Sequence, residues 1–329
     1  MKTIAFFNNK GGVGKTTLVY HIAWMMAELG HKVLAADLDP QSNLSSMFLQ
    51  EETLENLWPE DDQHSSVLAS VSPILEGIGD IAPASTQKVL ENLHLIPGDL
   101  GLSQFEDKLS DSWPRCLDRD PAAFRAITAF YRIVKNAADS VDAQIALLDV
   151  GPNLGAINRS ALIAADHVVS PLAPDLYSLQ GLKNLGPTLK DWRQGWRQRL
   201  EQKPENLNIS LPIGRMNPAG YIVMQHVERK NRPVKAFQKW VRRIPQTYRE
   251  YVLGQPDGDI PEPDPHCLGM VRNYQSLVPM AQEARKPIFF LKSADGAIGA
   301  HAQSVTKSYC DFKRMTEAIL ENTPPESHE

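Results

Sequence analysis

The stretch that decides the fold runs from Asn9 to Thr17 and reads N-K-G-G-V-G-K-T-T. The run Thr3–Asn8 before it is short and apolar, as a buried parallel strand is, and apolar residues at helical spacing follow over Thr16–Leu29. Glycines between a strand and a helix let backbone N–H groups curl around an anion, and the helix N-terminus adds its dipole. The spacing therefore predicts a phosphate-binding loop.

Two residue types in this loop carry specific tasks. A lysine neutralises the β- and γ-phosphates and a hydroxyl binds Mg²⁺, which assigns these tasks to Lys15 and Thr16. Asn9 stands where such loops usually begin with Gly, and Asn tolerates a positive φ better than most residues. A Gly-rich turn without a ligand is the alternative interpretation. The predicted nucleotide-binding residues of the loop are Lys10, Gly11, Gly12, Val13, Gly14, Lys15, Thr16 and Thr17.

Acidic residues follow two further predicted strands. Lys32–Ala36 leads into Asp37-Leu38-Asp39-Pro40, and Gln144–Val150 contains I-A-L-L-D ending at Asp149. Ligands of parallel sheets bind at the carboxyl ends of the strands, and residues two apart at a strand end point the same way. Asp149 is therefore expected to hold Mg²⁺, which prefers oxygen ligands, and Asp37 and Asp39 to face the nucleotide. A helix-capping role for Asp39 is the alternative.

Together these motifs resemble the ParA/MinD family of P-loop ATPases with a deviant Walker A loop, K-G-G-x-G-K-[ST], and within it the ParA/Soj-type partition ATPases. D-x-D-P-Q at Asp37 matches the first switch of that family, and Asp149–Asn153 its second switch, with Gly151 in place of a proline. The resemblance implies an ATP-sandwiched dimer in which Lys10 reaches the phosphates of the partner. It also implies that Asp39 orients the attacking water, that Asp37 supports the Mg²⁺ shell and that Gln225 contacts adenine. A solvated Lys10 is the alternative.

The pattern of elements predicts one α/β domain. It has a doubly wound, mostly parallel sheet with helices on both faces, the P-loop NTPase architecture. We expect a single domain over 1–329, with insertions near 50–90 and 226–266 and a polar tail at 322–329. Further strands are predicted at Leu93–Pro97, His167–Pro171 and Gly220–Gln225, and an exposed loop at Gly254–His266. Helices are predicted at Pro121–Ala138, at Asn158–Ala165 and at Ala294–Glu321, the last with a break near Gly299.

The composition is that of a globular chain, with 42% hydrophobic and 22% charged residues and a formal net charge of −5. No apolar run is long enough for a membrane helix, and the N-terminus lacks the pattern of a secretory signal. The three cysteines, Cys116, Cys267 and Cys310, lie far apart, which argues against a zinc site and favours a reducing compartment. The expected location is the cytoplasm, on the nucleoid if the protein binds DNA.

Charge is unevenly distributed along the chain. The segment 183–249 has 15 Lys/Arg against 4 Asp/Glu, whereas 1–182 has 12 against 23. A local field of this size predicts polyanion binding, here non-specific double-stranded DNA bound strongly only in the ATP state. A solvated basic face with Trp192, Trp196 and Trp240 in the core is one alternative, and single strands stacking on those tryptophans another. The predicted DNA-binding residues are Lys190, Arg193 and Arg197, on one helical face, and Arg229, Lys230, Arg242 and Arg243.

The predicted function is a ParA-like, ATP-dependent dimerising ATPase that positions or segregates DNA or other cargo. Hydrolysis of ATP would be slow and stimulated by an adaptor protein. The alternative is a MinD-like or defence-associated switch that acts through a protein partner. Membrane binding is disfavoured because Glu321–Glu329 is acidic and broken by prolines, and an iron–sulfur cluster because Asp149–Asn153 has no cysteine. We also considered a metabolic ligase, for which no substrate site is recognisable, and a non-hydrolysing module, which the retained lysines and acids oppose.

Overall fold

A computed structural model describes residues 1–58, 65–226, 228–229, 232–233, 235–257, 259–274 and 276–324. For the residues among these that lie in 225–237, it describes the backbone and no side chains. Ten strands are formed within these ranges. They are β1 (Lys2–Phe6), β2 (Val33–Asp37), β3 (Gln87–Leu90), β4 (Leu93–Ile96), β5 (Ile145–Asp149), β6 (His167–Leu172), β7 (Asn217–His226), β8 (Glu228–Arg229), β9 (Arg232–Pro233) and β10 (Cys267–Arg272).

Thirteen α-helices lie within the same described ranges. They are α1 (Lys15–Glu28), α2 (Asn43–Phe48), α3 (Glu51–Leu57), α4 (Val67–Leu75), α5 (Phe105–Arg115), α6 (Pro121–Ile127), α7 (Ala129–Ser140), α8 (Ala156–Ile163), α9 (Leu176–Glu201), α10 (Lys235–Val241), α11 (Ile244–Thr247), α12 (Val278–Ala284) and α13 (Ala300–Asn322). A short π-helix, Tyr248–Leu253, follows α11 and packs against α9.

Eight of the strands form one sheet in the order β10-β7-β6-β1-β5-β2-β4-β3. All neighbours in it are parallel except β3 and β4, which are antiparallel at one edge. The central strands β2 and β5 are buried along their whole length, as strands covered on both faces must be. The α/β class, the mostly parallel sheet and the helices on both faces are thus confirmed.

Two apolar layers cover the two faces of the sheet. One layer joins α1 to α13, where Leu18, Ile22 and Phe312 are buried. The other contains α4 to α9, where Phe130 and Trp196 are buried. Helix α9 therefore lies on the opposite face from α1, although both begin at the same edge of the sheet. That edge, where β1, β2, β5 and β6 end, carries the candidate site.

Some predicted boundaries are wrong. The single helix expected over Pro121–Ala138 is divided at Thr128, whose φ of −97° and ψ of 7° separate α6 from α7. The Thr128 hydroxyl donates to the Phe124 carbonyl at 2.7 Å and accepts from Arg132, so the break is held by its own hydrogen bonds. The terminal helix expected from Ala294 begins only at Ala300, at the break expected near Gly299, whose φ is positive.

The remaining expectations on organisation concern loops. The described residues of Gly254–His266 have no regular secondary structure, as predicted. The insertion expected near 50–90 contains α3, α4 and the edge strand β3 in its described parts, and residues 59–64 lie outside them. Within the described ranges, no helix combines the length and apolarity that crossing a bilayer requires.

Candidate nucleotide site

The loop between β1 and α1 has the backbone of an anion cradle. Gly12 and Gly14 have φ values of 71° and 86°, in the left-handed region that glycine enters without steric cost. Gly14 is the N-cap of α1, and its carbonyl accepts the amide of Leu18 at 2.9 Å as the first hydrogen bond of the helix. The amides before Leu18 have no carbonyl of the helix to bind, so they can bind an anion. Asn9 is not in the left-handed region. The predicted reason for Asn at position 9, its tolerance of a positive φ, is therefore wrong.

Three acidic side chains gather beside this loop at the ends of β2 and β5. Asp37 and Asp149 are directly opposite each other in the register of these parallel strands, and both are fully buried. Asp39, two residues beyond Asp37, is buried as well. The Lys15 ammonium, also buried, contacts a carboxylate oxygen of Asp149. The structure thus brings Lys15, Asp37, Asp39 and Asp149 together, as the sequence predicts.

Asp37 is held by two hydrogen bonds to one carboxylate oxygen. The amide and the hydroxyl of Ser45 donate to its Oδ2 at 2.8 and 2.7 Å, and Ser45 Oγ accepts from the Gly98 amide at 2.8 Å. A Cβ at position 98 would lie 2.8 Å from Asp37 Cγ, so only glycine lets the loop after β4 approach this closely. Burial and the neighbouring Asp149 carboxylate raise the pKa of Asp37 to about 7. A cation at this point would favour the ionised carboxylate.

The donor set fits a magnesium ion. Asp37 Oδ1, Asp149 Oδ2 and the Ser42 hydroxyl are buried, and no group among the described residues hydrogen-bonds to them. Such orphaned oxygens are costly unless something binds them, and hard cations prefer oxygen. In the part of the chain that is described, no three acidic, His or Cys side chains could hold a metal alone. The remaining ligands would be Thr16, phosphate oxygens and water, as in other P-loop sites.

Asp39 lies beside the loop that follows β5. Its Oδ1 accepts the amide of Gln41 at 3.0 Å, and a Cβ at Gly151 would lie 3.5 Å from that oxygen. The Asn158 amide holds the same loop by donating to the carbonyls of Gly151 and Asn153 at 2.9 and 2.7 Å. Asp39 therefore closes a local turn and also faces the second switch. It does not cap a helix, because α2 begins at Asn43 with Ser42 as its N-cap. Its role in orienting water stays a prediction.

Lys10 lies at the rim of the site. Its ammonium contacts Asp175 of the same subunit and lies 5.7 Å from the centre of the Tyr177 ring. Its backbone amide donates to Asn8 Oδ1 at 3.1 Å. The predicted reach of Lys10 to a partner's phosphates stays a prediction. Lys10 is partly exposed and paired with Asp175 in this structure.

The residues predicted to contact adenine and DNA have mixed outcomes. The side chains of Gln225, Arg229 and Lys230 lie outside the described residues. Lys190 and Arg197 of α9 and Arg242 and Arg243 near α11 are exposed, and none of these four pairs with a described carboxylate.

Arg193, on the same helical face of α9 as Lys190 and Arg197, has a different environment. Its Nε and Nη2 donate to the carbonyls of Arg215 and Met216 at 2.7 and 2.8 Å. These bonds fix α9 to the segment that leads into β7, and they engage donors that a phosphate would otherwise use. Burial, with Arg197 nearby, lowers the pKa of Arg193.

The tryptophans of the basic segment pack inward. Trp196 is fully buried, and its indole N–H donates to the Pro212 carbonyl at 2.9 Å. Trp192 and Trp240 are half-buried against the same apolar layer. The interpretation that the tryptophans belong to the core is favoured, and stacking of single-stranded DNA on Trp196 has no exposed ring to use.

Several residues of the site were not predicted from the sequence. Ser42, Ser45 and Gly98 surround Asp37, and Asp175 holds Lys10. Only Asp175 could have been predicted from the sequence, because Asp is a preferred residue directly before the first residue of a helix, here α9. Gly98 reaches Ser45 from 53 residues away in the chain, a contact that no local pattern encodes. Ser42 and Ser45 lie close to Asp37 in the chain, but neither belongs to a recognised motif.

Comparison with known proteins agrees with this geometry. The model of the AAA domain family matches residues 1–202. The sporulation initiation inhibitor protein Soj of Bacillus subtilis is 32% identical over 212 residues, 64% of this chain and 70% of Soj. The chromosome partitioning protein ParA of Caulobacter vibrioides is 30% identical over 201 residues, 61% of this chain and 67% of ParA.

A solved structure shares the fold. The ATP complex of an aspartate-to-alanine variant of McdA from Cyanothece superimposes with a TM-score of 0.65 at 16% identity, over 98% of this chain and 96% of McdA. At that identity the likeness concerns the fold alone. The matched family model and the partition relatives go further: the chain belongs to the AAA domain family, as a P-loop ATPase of the ParA/MinD type.

Proposed function

We propose that the protein is a ParA-like ATPase that dimerises on binding ATP and Mg²⁺ and positions or segregates DNA or other cargo. One observation carries the proposal. Lys15, Asp37 and Asp149 meet at the carboxyl edge of the sheet, where buried carboxylate oxygens have no partner among the described residues, while Lys10 stands apart from them at the partly exposed rim. A second lysine placed outside the phosphate pocket is suited to a phosphate that another subunit brings.

The chemistry at this edge divides between groups. Lys15 and the loop amides would bind the β- and γ-phosphates, and Asp39 would orient a water beside the second switch. Thr16, Asp37 and Asp149 would hold Mg²⁺, which supplies neutralisation of phosphate charge when bound. A cation from a second subunit then completes the charge complement only in the dimer, as an arginine finger does.

The surface around Lys10 suits contact with a second copy. Leu154, Leu176 and Tyr177 are exposed by 40%, 54% and 72%. Leu154 follows the second switch, and the other two begin α9 beside Lys10. Apolar side chains left in water around a functional edge are typical of a protein contact surface.

Helix α9 offers a physical link between ATP and DNA. It begins beside the phosphate loop and carries the exposed cations Lys190 and Arg197 further along. One subunit with a few phosphate contacts binds DNA weakly, and a dimer doubles the contacts. Binding of this kind reads no bases, so the DNA would be non-specific duplex. A protein adaptor that stimulates hydrolysis would then release it.

Light scattering and duplex binding test the proposal together. With Mg²⁺ and the slowly hydrolysed analogue ATPγS, the protein should double in mass, and with ADP it should stay monomeric. A DNA duplex of arbitrary sequence should bind the ATPγS form more tightly than the ADP form. A monomer in both nucleotides would contradict the proposal. A dimer that does not bind the DNA duplex would instead favour the alternative, a switch acting through a protein partner.

A further inference from the structure

The carboxylate of Glu106 joins α5 to the start of α8. Its Oε1 accepts the amide of Ala156 at 2.6 Å, and its Oε2 accepts the amide of Ile157 at 2.9 Å. These are the first two amides of α8, which no carbonyl of that helix can accept. A negative charge at this end also complements the helix dipole. Glu106, 50 residues before Ala156 in the chain, therefore caps α8 in place of its N-cap residue Gly155, which has no side chain.

Gly155 leaves the room that this carboxylate occupies. Its φ of −76° and ψ of −179° are open to any residue, so the backbone conformation does not demand a glycine here. A Cβ at this position would instead lie 2.6 Å from Glu106 Oε1. A larger residue at position 155 would displace the carboxylate, so Glu106 and Gly155 fit each other.

The first turn of α8 holds the second switch. Asn158 is buried, and its Nδ2 donates to the Asn153 carbonyl at 2.7 Å. The Gly155 amide donates to Asn153 Oδ1 at 2.9 Å. This switch lies against the phosphate loop, where a Cβ at Gly11 would be 4.0 Å from Pro152 Cγ. A shift of the start of α8 would therefore move the second switch relative to the phosphate loop.

Helix α5 is itself held in place, so it can set the position of α8. Phe105, next to Glu106, is fully buried and packs edge to face on Phe130 of α7, with the ring centres 5.7 Å apart. Further along α5, the centre of the Trp113 ring lies 4.3 Å from Cζ of Arg159 on α8. The two helices therefore meet at both places, and the Glu106 contact is the one beside the switch.

We propose that Glu106 is a positioning residue for ATP hydrolysis, which keeps the second switch beside the phosphate loop by holding the start of α8. The inference rests on the proposed function, in which Asp39 orients water beside this switch. Without the carboxylate, two amides of α8 lose their partner and the loop that Asn158 holds is no longer fixed. A reacting group displaced by about 1 Å can slow a reaction by about 100-fold, so turnover should fall by about 10- to 100-fold. Nucleotide affinity should change little, because Lys15 and the loop amides are untouched.

Two helix caps provide a matched comparison. Glu106→Ala removes the cap of α8, whereas Asp120→Ala removes the cap of α6, where Asp120 Oδ1 accepts the Ala122 amide at 2.9 Å. Both variants should lower the free energy of unfolding in urea. Glu106→Gln keeps one oxygen that can accept an amide, so it should recover part of the lost turnover. Phosphate release at saturating ATP and Mg²⁺ gives turnover, titration with a fluorescent ATP analogue gives affinity, and hydrogen exchange over 149–155 reports on the second switch.

Glu106→Ala should lose turnover while it binds nucleotide like the wild type, and exchange over 149–155 should become faster. Asp120→Ala should keep the turnover and the exchange of the wild type. Wild-type turnover in Glu106→Ala, or an equal loss of turnover in Asp120→Ala, would show that Glu106 only stabilises the fold and would overturn the inference. If the wild type itself hydrolyses no ATP, the proposed function fails, which is a distinct result. Unchanged exchange over 149–155 in Glu106→Ala would still overturn the inference in that case.

Discussion

The nucleotide edge of the sheet and the basic surface of α9 to α11 were both predicted from charged residues. In the structure, the charged residues of the edge meet at one site, whereas those of the basic surface have different environments. At the edge, Lys15 and the aspartates meet because a strand register and one tight loop place them there. On the basic surface, Lys190 and Arg197 point to water, but Arg193 between them is bonded to backbone carbonyls. The charged residues of the motifs stand at strand ends, so the fold determines where they lie. The role of a basic residue on α9 depends instead on the groups that pack beside it.

The largest effect should come from the centre of the nucleotide edge. Lys15→Ala should weaken nucleotide binding by about 30-fold or more, because a buried cation is lost and Asp149 keeps an uncompensated charge. Titration with a fluorescent ATP analogue measures this. Lys190→Ala, an exposed lysine on α9, is the matched control and should bind nucleotide normally. Thermal unfolding of both variants shows whether Lys15→Ala is still folded, and tight binding by folded Lys15→Ala would contradict the assignment.

Lys10→Ala should separate binding from assembly. The loop amides and Lys15 remain, so affinity for ATP in the monomer should change little. Hydrolysis should fall by about 1,000-fold or more, the loss typical of a cation supplied by another subunit, and the ATPγS dimer should disappear. Light scattering and phosphate release measure the two effects. A full-strength dimer with normal hydrolysis would remove Lys10 from the mechanism.

Asp39 allows the two interpretations of one carboxylate to be told apart. Asp39→Ala should bind ATP, hydrolyse it about 100-fold or more slowly, and accumulate as a dimer. Asp39→Asn keeps an oxygen that can accept the Gln41 amide, so the turn survives. If orientation of water is the role, the Asn variant should be as slow as the Ala variant. Recovery of hydrolysis in Asp39→Asn would show that the turn alone matters.

The smallest effect should come from the exposed basic residues of α9, and it concerns the affinity for duplex DNA. Lys190→Ala with Arg197→Ala should weaken duplex binding and lower the salt slope by about 0.9 per lost phosphate contact. Lys292→Ala with Lys307→Ala, two exposed lysines outside this surface, is the charge-matched control. Affinity measured at two salt concentrations tests this. Equal slopes in the two double variants would contradict DNA binding by α9.

Arg193→Ala should behave differently from the other two basic positions. Because its guanidinium donates to the Arg215 and Met216 carbonyls and so holds α9 in place, its loss should lower the free energy of unfolding. A stability loss of about 1–3 kcal/mol is expected for the orphaned carbonyls. Unfolding in urea measures it, with Arg197→Ala as the exposed control that should unfold like the wild type.

The parts of the fold that the sequence predicted are those with strong local patterns. The buried central strands, including β2 and β5, read as continuous apolar runs because both of their faces are covered. The edge strands β3 and β10 were not predicted, since both are only partly buried and β3 has only four residues. The break at Thr128 depends on its bonds with Phe124 and Arg132, which an apolar stripe does not encode.

The site shows the same division. The phosphate loop and the three aspartates carry their chemistry in short motifs at strand ends. Two of the partners that set their behaviour are distant in the chain: Gly98, 53 residues from the Ser45 that it bonds beside Asp37, and Asp175, 165 residues from Lys10. Such pairs form only once the sheet is assembled, so sequence reasoning found the reactive groups and missed what holds them.

The central claim is that two subunits are needed to hydrolyse ATP, and the dependence of turnover on protein concentration tests it most directly. Phosphate release is measured at saturating ATP and Mg²⁺ over a wide range of protein concentration. The account predicts that the rate per subunit rises with protein concentration and then levels off, since Lys10 of one subunit completes the site of the other. A rate per subunit that stays constant down to the lowest concentrations would contradict it.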